Sequence, residues 1–160
     1  MFTLANGTKL GVANLLGRVF MKPIDCPFRV GRAVVERLRA ETPLVVVDMH
    51  AEATSEKRAL ACMLDGAATA VIGTHTHVQT ADDTVLPGGT AYISDAGMTG
   101  PHDSIVGVKS DIILHNFLTG MPVRHEAATG DARIEGVAIE ADSQTGKALK
   151  IARLRIRERA

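Results

Sequence analysis

The chain has 160 residues, of which 46% are hydrophobic, and its 18 acidic side chains equal its 18 basic ones in number. This length and composition suffice to bury one core and favour a single domain over residues 1–160. The formal net charge of zero argues against stable nucleic-acid binding or membrane association. Cys26 and Cys62 lie outside any Cys-x-x-Cys pattern and are expected to be reduced, largely buried thiols. With no signal peptide or long apolar span, the sequence predicts a cytoplasmic protein.

The amino-terminal segment predicts a hairpin followed by a helix. Residues 2–5 and 8–16 have the composition of strands, and Asn6-Gly7 between them is typical of a two-residue type I′ turn. Residues 28–40 predict an amphipathic helix. Its expected apolar face consists of Val30, Val34, Val35 and Leu38.

Two apolar runs, 44–47 and 70–72, predict buried strands because they are rich in β-branched side chains and carry no charge. The segment between them predicts a helix that is capped by Thr54 or Ser55 and stopped by Gly66. Strand, helix, strand crossovers are nearly always right-handed and place the two strands parallel. The carboxyl ends of both strands are therefore expected at the same edge of one sheet.

Histidines follow both of these strands. His50 ends the first, and His75 and His77 come directly after the second. Histidines two residues apart in extended backbone point the same way, and neutral imidazole is a good ligand for several transition metals. An isolated His-x-His pair is more often two solvated loop residues, but a third histidine at the same sheet edge favours a metal site.

Acidic residues near these histidines bear on the kind of metal site. Three histidines alone would resemble a mononuclear zinc site, whereas two adjacent cations require carboxylates to offset their charge. The available carboxylates are those of Asp48, Glu52, Asp82, Asp83 and Asp95. Each of them is better explained as a cap or a solvated loop acid than as a metal ligand.

The remaining sequence predicts further strands and one helix. Residues 84–86 and 90–95 form a hairpin pattern around a glycine turn, and the glycine-punctuated loop 96–101 has backbone amides that could approach a phosphate, although such loops are usually only turns. A helix is expected over 110–119, ended by Gly120. The rest of the chain predicts three alternating strands.

Several motifs together resemble the calcineurin-like metallophosphoesterases, and more closely the bacterial subfamily that hydrolyses 2′,3′-cyclic nucleotides. The two longest are residues 47–57, VDMHAEATSEK, and residues 73–82, GTHTHVQTAD. Shorter matches are LLGRVFM at 15–21, DCPF at 25–28, LPGGTAYI at 86–93 and DAGMTGP at 95–101. The resemblance covers nearly the whole chain.

This resemblance implies a layered α/β/β/α sandwich and an active site with two metal ions, which would be iron, manganese or zinc. His50, His75 and His77 stand where the family has its last three histidine ligands, the first two on one metal and the third on the other. The implied reaction is hydrolysis of a small phosphodiester or nucleotide. No catalytic residue is assigned by the motifs present.

The sequence also departs from the family pattern. The family's opening aspartate ligand, its Glu-Asn pair and its Asn-His pair have no match, and His115-Asn116 has the reverse order within a predicted helix. The chain therefore looks like the carboxyl-terminal part of a metallophosphoesterase domain, incomplete on its amino-terminal side. Alone, it is expected to bind metal weakly, to show little activity and to self-associate through exposed strand edges. The alternative is a non-catalytic metal-binding or assembly module.

Overall fold

The chain folds into two β-sheets and three helices within residues 1–158, the part that the computed structural model describes. This confirms the predicted α/β class. The elements in chain order are β1 (Phe2–Thr3), β2 (Lys9–Leu16), α1 (Pro27–Arg39), β3 (Val45–His50), α2 (Thr54–Met63), β4 (Ala70–Thr74), β5 (Thr84–Val85), β6 (Ala91–Ile93), β7 (Gly100–Pro101), α3 (Ser110–Thr119), β8 (Ala132–Ala141) and β9 (Ala148–Arg157).

The larger sheet has the strand order β1-β2-β3-β4-β6-β5. Its four central strands, β2, β3, β4 and β6, are parallel, and the two edge strands are antiparallel to their neighbours. Leu16 of β2 and Thr74 of β4 are the register partners of His50 in β3. The carboxyl ends of β2, β3 and β4 therefore meet at one edge, as the crossover argument predicts.

Alternation along β3 separates the two faces of the larger sheet. Val45, Val47 and Met49 are fully buried in the core cluster that includes residues of α1 and α2. Val46 faces the other way and packs with residues of β8 and β9 from the smaller sheet, whose order is β7-β8-β9. Asp48 and His50 share the face of Val46 because side chains alternate along a strand. Both functional candidates on β3 thus project on the side of the second sheet.

Helix α1 buries part of the predicted face, since Val35 lies in the core and Leu38 packs against it. Pro27, Gly31 and Val35 are its buried residues, whereas Val30 is exposed. The helix lies very close to β2, since a Cβ atom at Gly31 would be 2.8 Å from Cδ1 of Leu15. Because glycine has no side chain, it allows this close approach, and the buried face is centred on Pro27, Gly31 and Val35, which are four residues apart.

One predicted turn and one predicted cap differ from the structure, and a second predicted turn is present. The first hairpin closes through a bond from the Gly7 amide to the Leu4 carbonyl, with positive φ at Gly7 and not at Asn6, so the turn is not type I′. Helix α2 has Ala53 as its N-cap without a side-chain hydrogen bond, and Thr54 is already helical. The predicted glycine turn between β5 and β6 is present and includes Gly89, at φ 99°.

The carboxyl-terminal strands are two, not three. After α3, the described residues contain only β8 and β9 as strands, paired antiparallel. The third strand of their sheet is β7, which precedes α3 in the chain and pairs with β8. Its two residues are too few to give the alternation by which a strand is recognised in a sequence.

The helices and the two cysteines bear on two further predictions. Within residues 1–158, none of the helices is long and apolar enough to cross a bilayer. Cys26 and Cys62 are unpaired, but Cys62 is exposed and Cys26 only half-buried, so the prediction of largely buried thiols is wrong. Cys62 lies near the end of α2, on the side opposite the core-facing Leu60 and Ala61.

Candidate metal centre

His50 and His75 are in direct contact at the carboxyl edge of the larger sheet. Nε2 of His50 is 3.1 Å from Nδ1 of His75, and the two rings meet edge to face with centroids 4.8 Å apart. His50 is the last residue of β3, and His75 follows β4 immediately. The parallel pairing of these two strands is what brings the rings together.

The His75-Thr76-His77 segment, named here the histidine turn, is not extended as the strand argument assumed. His75 has φ 113° and His77 has φ 64°, so both lie in the left-handed region, where residues with a Cβ atom are strained. Such conformations cost about 1–3 kcal/mol each and persist only when the surroundings impose them. The two imidazoles therefore owe their directions to this turn and not to strand alternation.

His77 reaches the same cavity as His75. The cavity has a volume of about 220 Å³ and is lined by Glu52, His75, Thr76, His77 and Val106. Nδ1 of His77 is 2.9 Å from the Val106 carbonyl oxygen, which can only accept, so the ring must donate from Nδ1. In the neutral ring, Nε2 of His77 then has a lone pair available to bind a metal ion.

A chain of side-chain hydrogen bonds fixes the ring of His50. Nδ1 of His50 is 3.0 Å from Oγ1 of Thr74, which in turn donates to Oδ1 of Asp48 at 2.7 Å. Asn14 donates to the other Asp48 oxygen at 2.6 Å. Because the hydroxyl of Thr74 gives its only proton to Asp48, it must accept the proton of His50 Nδ1. Nε2 of His50 therefore carries a lone pair directed at His75.

Glu52 approaches His75 from its other nitrogen. Oε2 of Glu52 is 3.0 Å from Nε2 of His75, and both side chains are partly exposed. Since Nε2 of His50 is an acceptor, the hydrogen shared by the two rings sits on Nδ1 of His75. To act as a metal ligand, Nδ1 of His75 would have to give up that hydrogen, and a neutral ring would then carry it on Nε2, where the Glu52 carboxylate can accept it.

The separation of the two ring nitrogens is close to that of two ligands of one metal ion. With metal–nitrogen bonds of about 2.0–2.1 Å in tetrahedral geometry, two ligating nitrogens lie about 3.3–3.4 Å apart, slightly farther than the 3.1 Å found here. Within residues 1–158, however, no group of three or more His, Cys, Asp or Glu side chains is arranged to hold one ion. Glu52 and His50 contact opposite nitrogens of His75, so the three groups do not surround a common point at which one ion could bind. Metal ligation by His50, His75 and His77 therefore stays a prediction.

The other acidic candidates are engaged elsewhere in the fold. Asp82 accepts hydrogen bonds from Thr80 and Ser94, and Asp83 pairs with Arg153 at 2.9 Å. Burial would raise the pKa of Asp82, but the hydrogen bonds from Ser94 and Thr80 outweigh it and hold the pKa below its ordinary value. These contacts support structural roles for the two acids, although neither acid is simply solvated.

The Thr74 relay gives a first testable prediction. Thr74→Val keeps the shape of the side chain but removes the acceptor for His50 Nδ1, so we expect affinity for Co²⁺ to fall by about 10–100-fold, the usual cost of losing a partner of a ligating histidine. A competition titration followed by Co²⁺ absorbance measures this. Thr84→Val is the matched control, because Thr84 lies in β5 and, within residues 1–158, its hydroxyl makes only a 3.5 Å contact with the Val85 carbonyl. Equal affinities of Thr74→Val and wild type would contradict the relay.

Comparisons with known proteins place the chain in a family. First, its fold is that of a solved phosphatase: the crystal structure of a novel phosphatase from Mycoplasma pneumoniae matches with a TM-score of 0.81 at 37% identity, covering 91% of this chain and 52% of that one. More particularly, the family model of the YmdB-like proteins matches residues 1–154, and the chain belongs to that family.

Two further relatives agree with this assignment. The 2′,3′-cyclic-nucleotide 2′-phosphodiesterase of Bacillus subtilis is 50% identical over 157 residues, which are 98% of this chain and 60% of the relative. A crystal structure of a hypothetical protein from Thermus thermophilus matches with a TM-score of 0.87 at 44% identity, covering 98% of this chain and 60% of that one. The resemblance inferred from the motifs is thus confirmed, and the chain spans about 60% of the length of these relatives.

Proposed function

We propose that this chain supplies histidine ligands to a two-metal active site that hydrolyses phosphodiesters, with 2′,3′-cyclic nucleotides as the substrate class. The observation that carries the proposal is the contact of 3.1 Å between the ring nitrogens of His50 and His75, next to a cavity that His77 also lines. Family membership and the name of the Bacillus subtilis relative support the substrate class.

Each histidine has a distinct task in this proposal. His50 and His75 would hold one ion and His77 the other, because Nε2 of His77 is left free by its bond to the Val106 carbonyl. Iron, manganese and zinc all accept imidazole ligands. When bound, two such ions stabilise the charge that develops on a phosphoryl group. The chain's own residues orient the rings and leave a cavity open to the substrate.

Charge limits what these residues can do alone. Three neutral imidazoles do not offset the repulsion between two cations, and the nearby carboxylate of Glu52 is paired with His75. We therefore expect the 160-residue chain by itself to bind metal weakly and to hydrolyse phosphodiesters near background. Its location in the cytoplasm and its self-association remain predictions.

The test compares this chain with the same chain plus any coding sequence adjoining it. Both are loaded with Mn²⁺ or Fe²⁺ and assayed against 2′,3′-cyclic AMP, beside His75→Ala and the control His115→Ala, which removes an exposed histidine of α3. We expect turnover in the longer protein, its loss in His75→Ala and its retention in His115→Ala. Turnover unaffected by His75→Ala would contradict the proposal, and metal binding without turnover would favour the binding module.

A further inference from the structure

A buried ion pair lies beneath the histidine turn. Nζ of Lys57 is 3.1 Å from Oδ2 of Asp95, and the side chains are 0% and 1% exposed. Removing two charges from water costs several kcal/mol per ion, which their attraction repays only when geometry and further hydrogen bonds are favourable. Replacing both residues of such a pair by apolar ones often leaves a protein equally stable, so stability alone does not explain the pair. The contacts of Lys57 and Asp95 with the surrounding backbone indicate its role.

Asp95 uses both carboxylate oxygens to bind backbone amides. The Thr76 amide donates to Oδ2 at 2.8 Å, and the Gly97 amide donates to Oδ1 at 3.0 Å. The backbone of Asp95 is also tied to Thr80, whose hydroxyl accepts from the Asp95 amide at 2.9 Å and whose amide donates to the Asp95 carbonyl at 3.1 Å. Asp95 therefore holds the histidine turn from its middle residue and again just beyond its end.

The position of Thr76 gives these contacts their significance. Thr76 lies between His75 and His77, the two residues of the turn with positive φ, and a bond to its amide fixes the peptide unit that joins it to His75. Ionised carboxylates form stronger bonds to amides than neutral acceptors do. Lys57 supplies the opposite charge at a depth where both side chains are buried, so the Asp95 carboxylate is not left there without a partner.

We propose that Asp95, held by Lys57, is a positioning residue that keeps the histidine turn in the conformation that presents His75 and His77 to metal ions. The proposal rests on the proposed function and extends it to two residues that touch neither imidazole through a hydrogen bond. The competing explanation is that the pair only stabilises the fold.

Asp65 provides a matched control. Its carboxylate also accepts two backbone amides, those of Gly88 at 2.8 Å and Thr90 at 3.2 Å. It precedes β4, whereas the histidine turn follows β4, so a strand of five residues, about 17 Å long, separates the two sites. Asp65→Asn and Asp95→Asn therefore make the same chemical change at opposite ends of one strand.

The experiment measures Co²⁺ affinity and the hydrogen-exchange rate of the Thr76 amide in the purified protein. Asparagine has one acceptor oxygen, so it cannot serve both Thr76 and Gly97. We expect Asp95→Asn to weaken Co²⁺ binding by about 10–100-fold and to accelerate Thr76 exchange by a similar factor, while Asp65→Asn leaves both within about threefold of wild type. Equal effects of the two variants would overturn the proposal.

A second variant covers the case in which Asp95→Asn folds poorly. Lys57→Met/Asp95→Asn removes both buried charges, and we expect it to recover stability but not Co²⁺ affinity. Recovery of both together would show that the pair acts only on the fold. If wild type binds Co²⁺ measurably and His75→Ala binds it with the same affinity, the proposed function fails, and Thr76 exchange in Asp95→Asn still decides whether Asp95 fixes the turn.

Discussion

Gly73→Ala is expected to unfold the protein or to lower its free energy of unfolding by about 4 kcal/mol or more, which for a chain of this size is a fall in Tm of about 8–16 °C. A Cβ atom at this position would lie 1.7 Å from the carbonyl oxygen of Ser94 and 2.5 Å from its carbon. Neither atom can move away, because both belong to the backbone beside β6. Thermal unfolding followed by circular dichroism measures the effect.

Gly136→Ala is the control for this substitution. Gly136 also lies in a strand, β8, but a Cβ atom there would meet nothing within 4 Å, and its φ is not positive. Alanine should change stability by less than about 1 kcal/mol, because it mainly restricts the unfolded chain. If Gly73→Ala were as stable as Gly136→Ala, the close approach of β4 to Ser94 would be wrong.

The arrangement of the sheet around His50 and His75 could be predicted from the sequence because it depends on few rules. Apolar, β-branched runs identify β3 and β4, and the handedness of the crossover makes them parallel. Parallel pairing alone is then enough to place the residues that end both strands beside each other. No knowledge of side-chain packing is needed for that step.

The conformation of the histidine turn could not be predicted in the same way. Positive φ is expected at glycine, but here it occurs at His75 and His77, where distant contacts impose it. Those contacts come from Asp95, which is 19 residues from Thr76 in the chain. Local sequence patterns carry no information about such a partner.

Lys57 left a signal that the sequence analysis did not use. It lies at helical spacing from Leu60, Ala61 and Leu64, all buried, so its position belongs to the core face of α2. A lysine on such a face requires a buried acid as partner. Thr74 and Asn14 left no comparable signal in the sequence, because both act by donating hydrogen bonds to Asp48, which lies on a neighbouring strand.

Lys57→Met should lower the free energy of unfolding by about 3–5 kcal/mol, although methionine fills a similar volume. The substitution leaves the Asp95 carboxylate buried and without its cation, and removing one partner of a buried pair commonly costs this much. Chemical denaturation at neutral pH measures the change.

Lys9→Met is the matched control. Lys9 pairs with Glu41 at 3.5 Å with both side chains about half exposed, so the loss of this pair should cost less than about 1 kcal/mol. Adding Asp95→Asn to Lys57→Met should restore most of the lost stability, because no uncompensated charge then remains inside. A Lys57→Met protein no less stable than Lys9→Met would show that Asp95 does not depend on this lysine, and the role assigned to Lys57 beneath the histidine turn would be wrong.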